Sequence, residues 1–216
     1  MTTRARQREE TRRILLRETR ALFAAKGYAA VGLAEIVTAA GVTKGALYHH
    51  FDSKTDLFKA VLTQVQEEVG AQVAAAADAE PDPWTQLRTG CAAFLRACAD
   101  PLIQRIMLID GPAVLGWHEW RAMDEANSAR HLHEALSALV DAGVLPPQPV
   151  APLTHLLSGA MNEAALWLTT QPEALPDTIA ALDRLLDGLR GPTRGRGETS
   201  APTTRVISGQ AGKLTE

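Results

Sequence analysis

Apolar residues recur at helical spacing through most of the chain, and glycines and prolines punctuate the runs. Four such segments precede residue 80. The first places Ile14, Leu15, Leu22 and Phe23 on one face and stops at Lys26-Gly27, where glycine can adopt the left-handed conformation and lysine complements the helix end. The second spans about Leu33–Ala40 and stops at Gly41. A third begins after Thr43, a residue type suited to an N-cap, and runs to about His50. The fourth opens on Ser53-Lys-Thr-Asp56, a capping-box pattern with Asp in place of Glu, and carries Leu57, Phe58, Val61, Leu62, Val65, Val69 and Val73.

Pro81 and Pro83 break this pattern, and a domain junction is expected there, with the fourth helix as connecting arm to about residue 78. Asp82-Pro83 and Asp100-Pro101 each pair an N-cap with a first-turn proline, which predicts helices over about 83–99 and 101–109. Gly111-Pro112 reads as a further interruption, followed by one long helical stretch to Asp141-Ala-Gly143. After the turn at Pro146, Pro147 and Pro149 come two leucine-rich amphipathic helices, about 150–170 and 174–190. Residues 191–216 turn to Gly, Thr, Ser, Pro and Arg, a composition expected to be disordered. No strand pattern and no repeat is visible. The expected fold is all-α, with a head over 1–60 and a larger helical bundle over 81–190.

Composition narrows the function. Hydrophobic residues make up 46% of the 216, enough for a sizeable core. No run approaches the ~20 apolar residues of a membrane-spanning helix. The basic, polar start does not read as a secretory signal, and a cytoplasmic protein is expected. Cys91 and Cys98 lie two helical turns apart, too far to pair, and read as reduced core residues. His131 and His133 are about 200° apart around a helix, so they do not share a metal; neither metal nor cofactor is expected. GxSxG, HExxH, a phosphate-binding loop and a dinucleotide fingerprint are all absent, which argues against an enzyme. Charge is divided unevenly: residues 1–60 carry 11 Lys+Arg against 6 Asp+Glu, and residues 61–190 carry 7 against 17. A basic head on an acidic body suits a head that meets a polyanion.

Residues 33–59 carry the sharpest signal. Two short helices separated by a glycine-containing turn match a helix-turn-helix, whose second helix enters the major groove of DNA. Thr43, Lys44, Gly45 and Ala46 give that helix a small, polar, basic leading edge. Tyr48, His49 and His50 can donate to phosphates or bases, and Lys54 begins the next helix beside the same surface. Leu47 and Phe51 are expected to anchor the helix on Ile36, Val42 and Leu57. A basic arm of Arg4, Arg6 and Arg8 either adds contacts to DNA or is a plain disordered terminus.

Gly27-Tyr28, the I-x-x-x-A-G-V of Ile36–Val42, the T-K-G-x-L-Y-x-H-F of Thr43–Phe51 and the S-K-x-x-L of Ser53–Leu57 closely resemble the N-terminal domain of TetR-family transcriptional regulators. The resemblance spans residues 14–59, about a fifth of the chain. It implies an all-helical homodimer with a small DNA-binding head and a C-terminal domain for ligand and partner. It also implies that Thr43, Lys44, Gly45, Tyr48, His49, His50 and Lys54 occupy DNA-contacting positions. Gly32 departs from the pattern, since the second helix usually opens on a capping Ser or Thr that touches phosphate, and Ala34 stands where many members carry a longer polar or basic residue.

The homodimer is expected to pair through about residues 150–190, as a four-helix bundle across a two-fold axis. A ligand pocket is expected around residues 103–120, with Phe94, Cys98, Met107, Asp110, Trp117, Trp120, Met161 and Asn162 as candidates, or else a filled core. The expected function is a DNA-binding regulator, a repressor released from its operator by a small apolar or aromatic ligand. The alternative is a ligand-independent dimeric DNA-binding protein, or an activator, whose C-terminal domain only dimerises.

Overall fold

The computed structural model describes residues 3–190, and every regular element among them is helical. Helix α1 (Thr3–Lys26) buries Leu15, Leu16 and Phe23 and ends where Gly27, at φ +81°, donates its N–H to the Phe23 carbonyl at 2.8 Å. Because α1 begins at Thr3, Arg4, Arg6 and Arg8 stand on its first turns; the arm is helical, continuous with the apolar stripe behind it. Helix α2 (Leu33–Ala40) starts from Gly32 without a side-chain cap and stops at Gly41, φ +64°, whose N–H meets the Thr38 carbonyl. Helix α3 (Lys44–Tyr48) is capped by Thr43, whose hydroxyl accepts from the Ala46 N–H at 3.1 Å.

Helix α4 (Lys54–Asp78) opens on Ser53, whose hydroxyl accepts from the Asp56 N–H at 3.0 Å. The Asp56 carboxylate accepts from the Asp52 N–H at 3.1 Å, one residue before the N-cap, so the reciprocal bond of the capping-box pattern falls on the residue preceding Ser53. Its stripe of Leu57, Phe58, Val61, Leu62, Val65 and Val69 is fully buried. The helix is about 37 Å long at the standard rise, so its first turns serve the head and its last turns the body.

Helix α5 (Pro83–Cys98) is capped by Asp82, which accepts from the Thr85 N–H at 2.8 Å. Helix α6 (Pro101–Gln104), capped by Asp100, widens into a π-helical segment (Arg105–Asp110) and runs on into α7 (Gly111–Leu115). Gly111-Pro112 is therefore no interruption. The Gly111 N–H goes to the Ile106 carbonyl and Pro112 has no N–H, so the Met107 carbonyl loses both of its helical donors. The Trp120 indole N–H takes their place at 2.7 Å. Gly111 is required for this packing, because a Cβ there would lie 2.7 Å from Trp120 Cδ1.

The chain turns at Gly116, φ +80°, into α8 (Trp117–Ala126). The long stretch expected up to Gly143 is two helices: Asn127, at φ −116° and ψ −99°, leaves the helical region and separates α8 from α9 (Ser128–Asp141). Helices α10 (Val150–Trp167) and α11 (Leu175–Leu189) complete the body where the leucine pattern puts them. The expectation for residues 191–216 lies outside the described residues. No described helix is long and apolar enough to cross a membrane.

Candidate DNA-binding face and effector cavity

Helices α2 and α3 form the helix-turn-helix around Ile36 and Leu47, both fully buried, with Phe51 closing the core beneath them. The opposite face of α3 is open. Thr43, Lys44 and Gly45 are exposed at its leading end, and Ala46 is partly so. Tyr48 is 46% exposed despite its size, with the Lys44 ammonium 5.9 Å from its ring. His49 is exposed and His50 half-buried. The N-terminal turns of α1 face this edge: Arg4, Gln7, Arg8 and Thr11 form a cleft with Ala46, His49 and His50. Arg12 lies over the Phe51 ring at 4.8 Å. Burial first, then the charges of Arg8, Arg12 and His49, hold the His50 pKa below its ordinary value. This edge favours an anion and disfavours a further cation.

Lys54 is differently placed. Its ammonium donates to the Tyr28 carbonyl at 2.6 Å and sits 4.0 Å from the Tyr28 ring centroid. Burial lowers its pKa, and Asp110 counters in part. Lys54 is thus held by the head's own frame.

The candidate pocket of residues 103–120 is corrected by the structure. Asp110 accepts the Tyr28 N–H at 2.8 Å, and a Cβ on Gly27 would lie 2.8 Å from the Arg105 guanidinium. Lys59 on α4 pairs with Glu119 on α8. This segment is the joint between head and body. Trp117 is 61% exposed and Trp120 only 2%, although their rings lie 5.1 Å apart. Met107 and Cys98 are fully buried core, and the Cys98 thiol is pushed up to about 12 by burial. The turn at Gly116 and the Met107 carbonyl decide that Trp120 goes inward and Trp117 does not.

A cavity of about 190 Å³ lies instead between α4, α5, α9 and α10, with the end of α8 at one side. Of the residues expected in a pocket, Phe94 and Met161 line it; Cys98, Met107, Asp110, Trp117, Trp120 and Asn162 do not. Its walls are largely apolar, with Val73, Ala74 and Ala77 from α4 facing Leu87, Gly90 and Leu132. Cys91 also lines it, with its thiol pushed up to about 12 by burial and therefore unreactive. The polar lining is Asp124 and Ser128 at the α8–α9 break, Ser158 on α10, and Asp78, Gln86 and His131. Asp124 is buried and pairs with Arg121 at 2.6 Å, while Asn162 Nδ2 donates to the same carboxylate at 3.3 Å. Burial raises the Asp124 pKa, a shift that Arg121 and then Asn162 and Ser158 oppose. Sequence reasoning missed this site because it is assembled from five helices.

A helix-turn-helix head with a basic edge, joined by one long helix to an all-helical body with an internal cavity, defines a DNA-binding regulator. Residues 15–61 match the family model for bacterial regulatory proteins of the tetR family, and residues 84–189 match the model for a tetracyclin repressor-like C-terminal domain. The chain belongs to the TetR family of transcriptional regulators, which are not enzymes. It is 36% identical to a TetR-family regulator of Pectobacterium atrosepticum, whose crystal structure superposes with a TM-score of 0.72 over 87% of this chain and 97% of that one. It is 28% identical over 158 residues to the Transposon Tn10 TetC protein of Escherichia coli, covering 73% of this chain and 80% of that protein. RolR, crystallised with resorcinol, shares the fold at 20% identity and a TM-score of 0.66, over 84% of this chain and 89% of its own.

Proposed function

We propose that the protein is a homodimeric repressor, released from its operator by a small, mainly apolar or aromatic effector bound in the cavity on α4. The observation that carries this reading is the path of α4. Its first residues follow α3 across the short 49–53 turn, and its last turns supply Val73, Ala74 and Ala77 to the cavity wall. An effector that prefers one packing of these walls therefore biases the position of the heads, provided its affinity for the two states differs. The head (1–60) supplies the DNA contacts through Thr43, Lys44, Gly45, Ala46, Tyr48 and His49. His50, Arg4 and Arg8 form the flanking basic edge, and Lys54 positions the turn behind it.

Dimerisation through α10 and α11 is supported by the apolar side chains these helices leave outside. Leu156 is 72% and Leu185 62% exposed, and Leu166 and Trp167 add to the same pair of helices. Exposed apolar residues of this size, concentrated on two helices, mark a partner surface. RolR, with the same fold, was crystallised with a small aromatic diol, which agrees with an effector of this size. Selection of bound duplexes from a random pool tests the reading. The expected result is a two-fold symmetric site with half-sites about 34–36 Å apart, and recovery of no enriched sequence refutes it.

A further inference from the structure

Asp124 gives the cavity an uneven interior. Three donors converge on one of its oxygens: Arg121 Nη1 at 2.6 Å, Asn162 Nδ2 at 3.3 Å and Ser158 Oγ at 3.5 Å all meet Oδ2. No donor among the described residues meets Oδ1. Close by in sequence, across the break at Asn127, Ser128 also lines the cavity, and its hydroxyl is buried without a partner among the described residues. A buried polar atom left unpaired is costly, and such atoms are usually completed by water or ligand. The cavity therefore has one pole with a spare acceptor and a spare hydroxyl.

Charge decides what kind of group fits there. The Asp124 side chain is 2% exposed and that of Arg121 13%, so the carboxylate is already compensated by a close cation. A ligand ammonium would add a second cation beside Arg121, and a ligand carboxylate would face Asp124 directly. At this pole either would be buried with its charge uncompensated. A neutral O–H does neither: it donates to Oδ1 and accepts from Ser128. The remaining walls are mostly apolar, Phe94, Leu132, Met161 and Val73 among them, with Asp78, Gln86 and His131 as the other polar residues of the lining. About 190 Å³ holds one or two fused rings.

We infer that the effector is a neutral, hydroxyl-bearing hydrocarbon of one or two rings, such as a phenol, whose hydroxyl sits between Asp124 Oδ1 and Ser128 Oγ. This rests on the cavity being the effector site. The hydroxyl is what separates a ligand of this pole from any apolar molecule that merely fits the walls.

Four matched probes test it by calorimetric titration of the full chain: 2-naphthol, naphthalene, 2-naphthoate and 2-naphthylmethylammonium. The expected result is 2-naphthol binding at least tenfold more tightly than each of the others. Asp124→Asn would break the buried pair with Arg121 and endanger folding, so the informative variants are Ser128→Ala and, on the α9 wall of the cavity, Ala135→Leu, with helicity checked by circular dichroism. Ser128→Ala is expected to weaken 2-naphthol several-fold and leave naphthalene unchanged, while Ala135→Leu, which fills the cavity, abolishes both. Equal binding of 2-naphthol and naphthalene, both lost in Ala135→Leu, overturns the hydroxyl inference and leaves the cavity as effector site. Tightest binding of the cation or the anion overturns it equally. Binding that survives Ala135→Leu, or no binding by any probe, overturns the cavity reading and this inference with it.

Discussion

Lys44 and Tyr48 stand clear of the head's core, and neither makes a hydrogen bond that the fold depends on among the described residues. Lys44→Ala and Tyr48→Phe are therefore expected to weaken operator binding about fivefold or more while the melting temperature stays within a degree or two, read by fluorescence anisotropy and thermal denaturation. In Lys44→Ala the salt slope should also fall by about one per half-site. Lys54 differs: Lys54→Ala loses the bond to the Tyr28 carbonyl, so a stability loss of about 1–2 kcal/mol should accompany any loss of affinity. His50 supplies a pH dependence. Its pKa is lowered in the folded head from the ordinary 6.5, so as pH falls through that value the unfolded chain takes up its proton first. Stability of the free head then falls with pH, down to the lower folded value, where the loss is complete. Bound phosphate acts in the other direction, because it favours the protonated ring. Operator affinity is expected to rise between pH ~7.5 and ~6 while the melting temperature of free protein declines, and His50→Gln should flatten both curves.

The π-helical segment and α7 show how an element can serve two neighbours at once. Widening at Arg105–Asp110 presents Asp110 to the Tyr28 N–H of the head, and Pro112 leaves the Met107 carbonyl to be met by Trp120 of α8. The joint between head and body is thus built on one irregular turn, with α4 packed alongside. Trp120→Phe keeps most of the buried ring but strands the Met107 carbonyl, so a loss of about 1–3 kcal/mol is expected in urea denaturation. Trp117→Phe, at the exposed ring, should cost less than about 0.5 kcal/mol. Equal effects of the two substitutions would contradict the assignment of Trp120 as the structural partner. The capping signals were legible residue by residue, because Thr43, Ser53, Asp82 and Asp100 act on N–H groups two or three positions away. Gly111-Pro112 was misread for a related reason: its effect depends on a helix that lies further along the chain.

For the molecule as a whole, the proposed arrangement makes affinity a property of two heads held at one spacing. Leu156→Glu with Leu185→Glu places carboxylates on the exposed faces of α10 and α11, away from the buried core. Sedimentation is expected to show a folded monomer, and operator affinity to fall by a factor of about 100 or more as the bivalent advantage is lost. A dimer that persists with unchanged affinity would place the partner surface elsewhere. The sequence by itself determined that the chain is helical, where most helices begin and end, that the head is a helix-turn-helix, and which residues α3 leaves outside. All of these depend on periodicity, caps and turns within a few positions of one another. Tertiary structure alone decided that residues 103–120 are a joint and that the cavity lies between α4, α5, α8, α9 and α10. Only the folded chain shows Trp120 turned inward while Trp117 stays in solvent, and Asp124 paired with Arg121 at the cavity's polar pole. The physical reason is one of range. A helix's local pattern says which face is apolar, but not which distant helix covers it, nor where several such faces fail to meet.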